Sequence, residues 1–282
     1  MQRDKRSIIH RACCCFLLLA ALIARSVRAD DAASHQIKLP AKVDDIVVAA
    51  NGDILLLQMD TLSKLAVFDI KTEKILGYVS LGGNQTAVAG TANSIILVVR
   101  DKNIVQRWSL PALEKKLTLP LTLTQEVDGV AAGYASSGPF MIMTRGGPRF
   151  MDSITLKLVE TNADRNGMWN PHPQYPLKAA ASADGSTYAA LEPGLSPSGL
   201  RYLRFDNGQI TTKYQHTSVG EELPSADGSL IFTSSGVYNS DLQPLDRDDR
   251  NHAYSTFPTL SPAYYLGIAR SGNQDQRTRS PS

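Results

Sequence analysis

Cysteine is absent from residue 16 onward: all three, Cys13, Cys14 and Cys15, stand in the first 29 residues. A mature chain beginning near residue 30 therefore has no disulfide, no thiolate nucleophile and no cysteine-ligated metal. No apolar run reaches the roughly 20 residues that a bilayer-spanning helix needs. No block of lysine and arginine interleaved with aromatics occurs, and 29 basic against 27 acidic residues leave a net charge of only +2. Nothing here announces the basic face that displaces counterions from nucleic-acid phosphates. Helical heptads are missing after residue 30. So are the G-x-S-x-G elbow, the G-x-G-x-x-G and P-loop cradles, the C-x-x-C-H haem motif and the H-E-x-x-H zinc motif. Hydrophobic residues at 43% and charged residues at 20% are ordinary for a globular domain.

The N-terminus reads as a targeting segment. Arg3, Lys5, Arg6 and Arg11 precede an unbroken apolar stretch of 13 residues, Ala12 to Ala24. That length suits the core of a signal sequence. Val27-Arg28-Ala29 places small residues at −3 and −1 of a cleavage site, and Asp30-Asp31 follow. The expectation is a signal peptide over 1–29 and export to the periplasm or extracellular space, with a retained anchor as the alternative. The cysteines stand at the start of the apolar stretch and not after it, so no lipid anchor is read. About 250 mature residues are enough to be stabilised by an apolar core alone.

Self-similarity organises the rest. Val48-Ala49-Ala50-Asn51-Gly52-Asp53 precedes the apolar run Ile54–Leu57, and Val88 to Asn93 precedes Ile95–Val99, an offset of 40 residues. Ala66 to Ile70 aligns with Gln106 to Leu110 at the same offset. Ser182-Ala183-Asp184-Gly185-Ser186 returns letter for letter as Ser225-Ala226-Asp227-Gly228-Ser229, 43 residues on. Asp-Gly and Asn-Gly tolerate the positive φ of tight hairpin turns. Short strands separated by Gly, Asn, Asp, Pro and Ser, in units of 40 to 50 residues, predict an all-β fold: a β-propeller of four-stranded blades, about five to seven in number. The divisions are near 41–83, 84–123, 124–177, 178–223 and 224–260. Ser261 to Ile268 reads as the start of a further blade, and the polar residues 269–282 read as a tail. The propeller domain spans 30–268, and its last blade is expected to be incomplete unless residues 36–39 complete it.

These residues resemble a known group. The Ser-Ala-Asp-Gly-Ser turn before a strand, with Phe68-Asp69 and Arg107-Trp108-Ser109 in third-strand positions, is similar to WD40/YVTN-like (quinoprotein-like) β-propellers of bacterial exported proteins. The Gly-His and Trp-Asp dipeptides of strict WD40 repeats are missing, and the aromatic-Asp pairs are Phe68-Asp69 and Phe205-Asp206. The resemblance implies a scaffold, commonly for binding and sometimes an enzyme.

Site candidates are sparse. His172, His216 and His252 lack metal-ligand spacing. Asn162 to Gly167 opens like a calcium loop, but Pro173 stands where the twelfth-position glutamate belongs. Trp169, His172 and Tyr175 sit in a Pro-rich insertion, 160–177, where core packing is less obligatory, and are the residues expected to contact a ligand or partner. Trp108 holds a regular strand position and is expected in the core. No catalytic residue, cofactor or metal ligand is assigned. The function expected is a non-catalytic exported scaffold that binds a protein or a glycan. The alternatives are a propeller enzyme, lactonase-like or quinoprotein-like, and an inactive fragment. An enzyme predicts acids and histidines gathered on the axis.

Overall fold

In the computed structural model, residues 37–162, 177–246, 254–259 and 265–269 are described. The chain divides into two units, 1–40 and 41–282. Residues 37–40 of the first carry no strand. All strands belong to the second and form five four-stranded antiparallel sheets and one two-stranded sheet.

Blade 1 contains β1 (Asp45–Ala49), β2 (Ile54–Met59), β3 (Lys64–Asp69) and β4 (Lys74–Ser80). Blade 2 contains β5 (Thr86–Gly90), β6 (Ser94–Val99), β7 (Ile104–Ser109) and β8 (Lys115–Pro120). Blade 3 contains β9 (Val127–Ala131), β10 (Phe140–Thr144), β11 (Gly147–Met151) and β12 (Leu158–Val159). Blade 4 contains β13 (Lys178–Ala181), β14 (Thr187–Leu191), β15 (Leu200–Asp206) and β16 (Gln209–Gln215). Blade 5 contains β17 (Glu222–Pro224), β18 (Leu230–Thr233), β19 (Gly236–Asn239) and β20 (Pro244–Asp246). Blade 6 pairs β21 (Tyr254–Pro258) with β22 (Tyr265–Ala269). Each sheet is a meander in chain order. Neighbouring first strands, β1 to β5, β5 to β9, β9 to β13 and β13 to β17, lie side by side, and β21 lies beside β17 and β18. This is a β-propeller.

Residues 261–268 thus do not start a blade. Tyr265–Ala269 is the second strand of blade 6, and Tyr254–Pro258 is its first. The boundary expected at 223/224 also cuts β17, which begins blade 5 at Glu222. Both slips have one cause: a three-residue strand such as β17 carries too little alternation to be told from a turn.

Why the second strands read as continuous apolar runs follows from packing. Side chains alternate between the two faces of a strand, and each blade is covered on both. In β6 every residue is buried. Ile95, Leu97 and Val99 join the cluster with Leu56, Leu65 and Val67 of blade 1, whereas Ile96 and Val98 join Phe140 and Ile142 of blade 3. In β10 the other two, Met141 and Met143, face Tyr188 and Leu203 of blade 4. Ala189 then turns to Ile231 and Tyr238 of blade 5. Each such buried side chain contributes about 1.5–3 kcal/mol. Trp108 is half-buried against the blade 1–2 cluster, as expected.

The repeats in sequence are repeats in geometry. A β-bulge between Val67 and Phe68 recurs between Arg107 and Trp108, and left-handed Ser63 recurs as Asn103, each at an offset of 40. In the letter-for-letter repeat, Ser182 Oγ donates to Asp184 Oδ1 (2.5 Å) and accepts from Thr187 N (3.0 Å). Ser225 Oγ does the same with Asp227 Oδ1 (2.6 Å) and Leu230 N (3.0 Å). The motif is a self-contained turn that closes on its own side chains.

Candidate functional site

The six first strands surround a cavity of about 680 Å³. Its wall is Ile46 and Val48 on β1, Val88 to Gly90 on β5, Val130 and Ala131 on β9, Ala179 to Ala181 on β13, Leu223 and Pro224 on β17, and Phe257 and Pro258 on β21. Small residues stand here because several sheets converge and large side chains would collide near the axis. Charge in the wall comes from Asp45 and Lys178, the first residues of β1 and β13. Lys178 Nζ also lies 3.6 Å from Glu221 on the exposed surface. Tyr134 adds a phenol, its pKa raised by burial.

One end of the cavity is bound by a girdle of backbone hydrogen bonds between successive turns. Ala50 N donates to Thr91 O, Ala92 N to Ser136 O, Ala135 N to Ala183 O and Ala183 N to Ala226 O, all at 2.9–3.0 Å. Asn51 N reaches past blade 2 to Tyr134 O (2.9 Å). Two glycines permit this approach. A Cβ on Gly133 would stand 2.3 Å from Gly185 N, and one on Gly228 would stand 2.3 Å from Thr187 Oγ1.

Ionisable groups are buried between blades and not on the axis. Arg201 Nη2 meets Glu192 Oε2 at 2.7 Å, with both side chains almost fully buried. Arg201 also donates to Ser198 O (3.1 Å) and packs on the Tyr214 ring. Glu222, 4% exposed, accepts from Arg201 N at 3.4 Å, and its Oε1 has no partner. Desolvation pushes its pKa up to about 9, against the lowering effect of Arg201. Between blades 2 and 3, Asp128 pairs with Arg145 at 2.8 Å, and burial raises its pKa despite the pair. Among the described residues no three His, Cys, Asp or Glu converge as a metal site.

Of the residues expected to make contacts, Trp169, His172 and Tyr175 lie outside the described residues, as do His252 and most of the calcium-like loop. Asn162 is described: its side chain bonds both N and O of Ile210, extending β16 in the manner of a further strand. His216 bonds the Tyr214 hydroxyl through Nδ1 (3.0 Å) in an exposed position. Sequence reasoning missed the cavity wall, for which the run Ala179-Ala180-Ala181 before the Ser-Ala-Asp-Gly-Ser turn was an available signal. It also missed Glu222, which nothing nearby in sequence marks.

Neither a protein-family model nor a curated protein matches the chain. Solved structures do. A functionally unknown protein from Desulfotomaculum acetoxidans is similar at 17% identity and TM-score 0.56, over 76% of this chain and 72% of that one. The Cps50 (Swd1) β-propeller domain of Myceliophteria thermophila is similar at 12% identity and TM-score 0.50, over 79% and 76%. These likenesses show the fold. The chain is a propeller scaffold, and at such identities they say nothing of its ligand.

Proposed function

We propose that this chain is an exported, non-catalytic scaffold that binds a protein segment at its central cavity. The observation that carries the reading is the composition of the wall. Valine, alanine, glycine, leucine, isoleucine, proline and phenylalanine hold no proton to transfer and no lone pair for a metal. They offer van der Waals contact and an apolar volume, which suits side chains of a protein partner. The glycan alternative is less well supported, because sugar hydroxyls need hydrogen-bonding groups that this wall does not supply. The propeller-enzyme alternative needs convergent acids or histidines on the axis, and the buried acids here lie between the blades. Export is supported by the charged start, the apolar stretch Ala12–Ala24 and the Val27-Arg28-Ala29 sequence.

Two measurements test this. Mass spectrometry of the protein from its native cell should find Asp30 as the N-terminus in an envelope or secreted fraction. An intact N-terminus in the cytoplasm overturns export. Cross-linked partners recovered with the parent should be lost with Ala180→Asp, which puts charge on the wall, and kept with Lys116→Ala on an outer strand. Capture that is indifferent to Ala180→Asp, with unchanged melting temperature, removes the cavity from the reading.

A further inference from the structure

Blade 6 has two strands among the described residues where the other five sheets have four. The edge of β22 away from β21 therefore presents unpaired backbone amides and carbonyls. Outer strands in such folds are usually guarded against pairing with another chain by charge, proline or shortness. Five of the six outer strands here follow that rule. β4 carries Lys74, β8 carries Lys115 and Lys116, β16 carries Lys213, β20 carries Pro244, and β12 is two residues long. β22 is Tyr-Leu-Gly-Ile-Ala, with no charge and no proline. Tyr265 and Leu266 are 53% and 56% exposed.

Blade 1 holds a second sign of missing strands. Ile46, Leu57, Ala66 and Tyr78 are cross-strand partners in one row on the face turned away from blade 2. The middle two are buried, at 7% and 0%, whereas Tyr78 on the outer strand is 46% exposed. A sixth blade with four strands would present its outer two at the radius of Tyr78.

We infer that a second copy of this chain supplies those strands, by antiparallel pairing of β22 with β22 across a twofold axis at Gly267. Two plus two strands then make one four-stranded sheet, the strand number of every other blade. The sequence is self-complementary in this register: Leu266 of one copy stands opposite Ile268 of the other, and Tyr265 opposite Ala269. No like charges oppose each other. An isologous contact of this kind closes at the dimer and leaves no edge for further growth. The inference is independent of the cavity and of export.

Light scattering on the purified full chain tests it, with dilution from about 100 to 1 μM. The expected molar mass is twice that of one chain at the upper end. Leu266→Lys should give the mass of one chain while keeping the circular dichroism and melting transition of a folded monomer. In a chain with Cys13, Cys14 and Cys15 changed to Ser, Gly267→Cys should form a disulfide-linked dimer on oxidation, because directly opposed Cα atoms lie about 4.5–5.5 Å apart, within disulfide reach. A parent of single-chain mass throughout overturns the inference, whether residues 270–282 or another protein cover the edge. So does a dimer that Leu266→Lys leaves intact and Gly267→Cys fails to cross-link.

Discussion

Glu222 on blade 5 accepts a hydrogen bond from the backbone nitrogen of Arg201 on blade 4 at 3.4 Å, yet the Arg201 guanidinium turns away from it, to Glu192 at 2.7 Å. One buried cation thus serves one carboxylate by direct contact and leaves the other short of a counter-charge. Burial then keeps Glu222 protonated at neutral pH.

The first prediction concerns pH. The carboxyl of Glu222 has a folded pKa of about 9 against an ordinary value of 4.5. Between those values the unfolded chain has released a proton that the folded chain holds. Stability is therefore fullest below about pH 4.5 on this account and declines as pH rises toward 9. Glu222→Gln keeps the shape without the ionisation. Its urea midpoint should exceed that of the parent at pH 8 and converge with it near pH 5. Equal midpoints at both pH values would show that Glu222 ionises without cost.

Removing Arg201 has a different consequence. Arg201→Ala leaves Glu192 buried without its partner and should destabilise by about 3–5 kcal/mol. The double variant Arg201→Met with Glu192→Leu should recover most of that loss, because the buried charge is gone as well. A single variant within about 0.5 kcal/mol of the parent contradicts the pairing; equilibrium denaturation decides.

The girdle glycines separate by environment. Gly133→Ala and Gly228→Ala press a Cβ to 2.3 Å from a neighbouring turn, and Gly228 has a φ of +69°. Each should cost about 1–3 kcal/mol. Gly129→Ala, with no atom within 4 Å of the added Cβ, should be neutral or slightly stabilising. Thermal melts of the three variants compare them directly.

Asp227 titrates with the opposite sign to Glu222. Hydrogen bonds from the Ser225 hydroxyl and, further down in importance, the Ser229 backbone lower its pKa, while modest desolvation opposes them. Its contribution is present at neutral pH and lost as pH falls through the depressed value. Asp227→Ala should cost about 1 kcal/mol at pH 7. The difference from the parent should shrink in strong acid; a constant difference between pH 7 and pH 2 would assign the loss to the turn backbone instead.

Taken by itself, the sequence determined the blade. Fully apolar second strands such as Ser94–Val99, the Ser-Ala-Asp-Gly-Ser turns and the offset of 40 between blades 1 and 2 all report local rules: side chains alternating over two faces, and a turn that hydrogen-bonds to itself. Such rules act within about 45 residues and survive in one chain read alone. Boundaries at β17 and β22 failed because strands of three to five residues have almost no local pattern. Tertiary structure alone decided the cavity wall, the burial of Glu222 beside Arg201 and the open edge of β22. Those depend on which surfaces meet around an axis, and convergence of distant strands has no period along the chain. An alanine on β13 and an alanine in any other strand read alike until six sheets bring one of them to the centre.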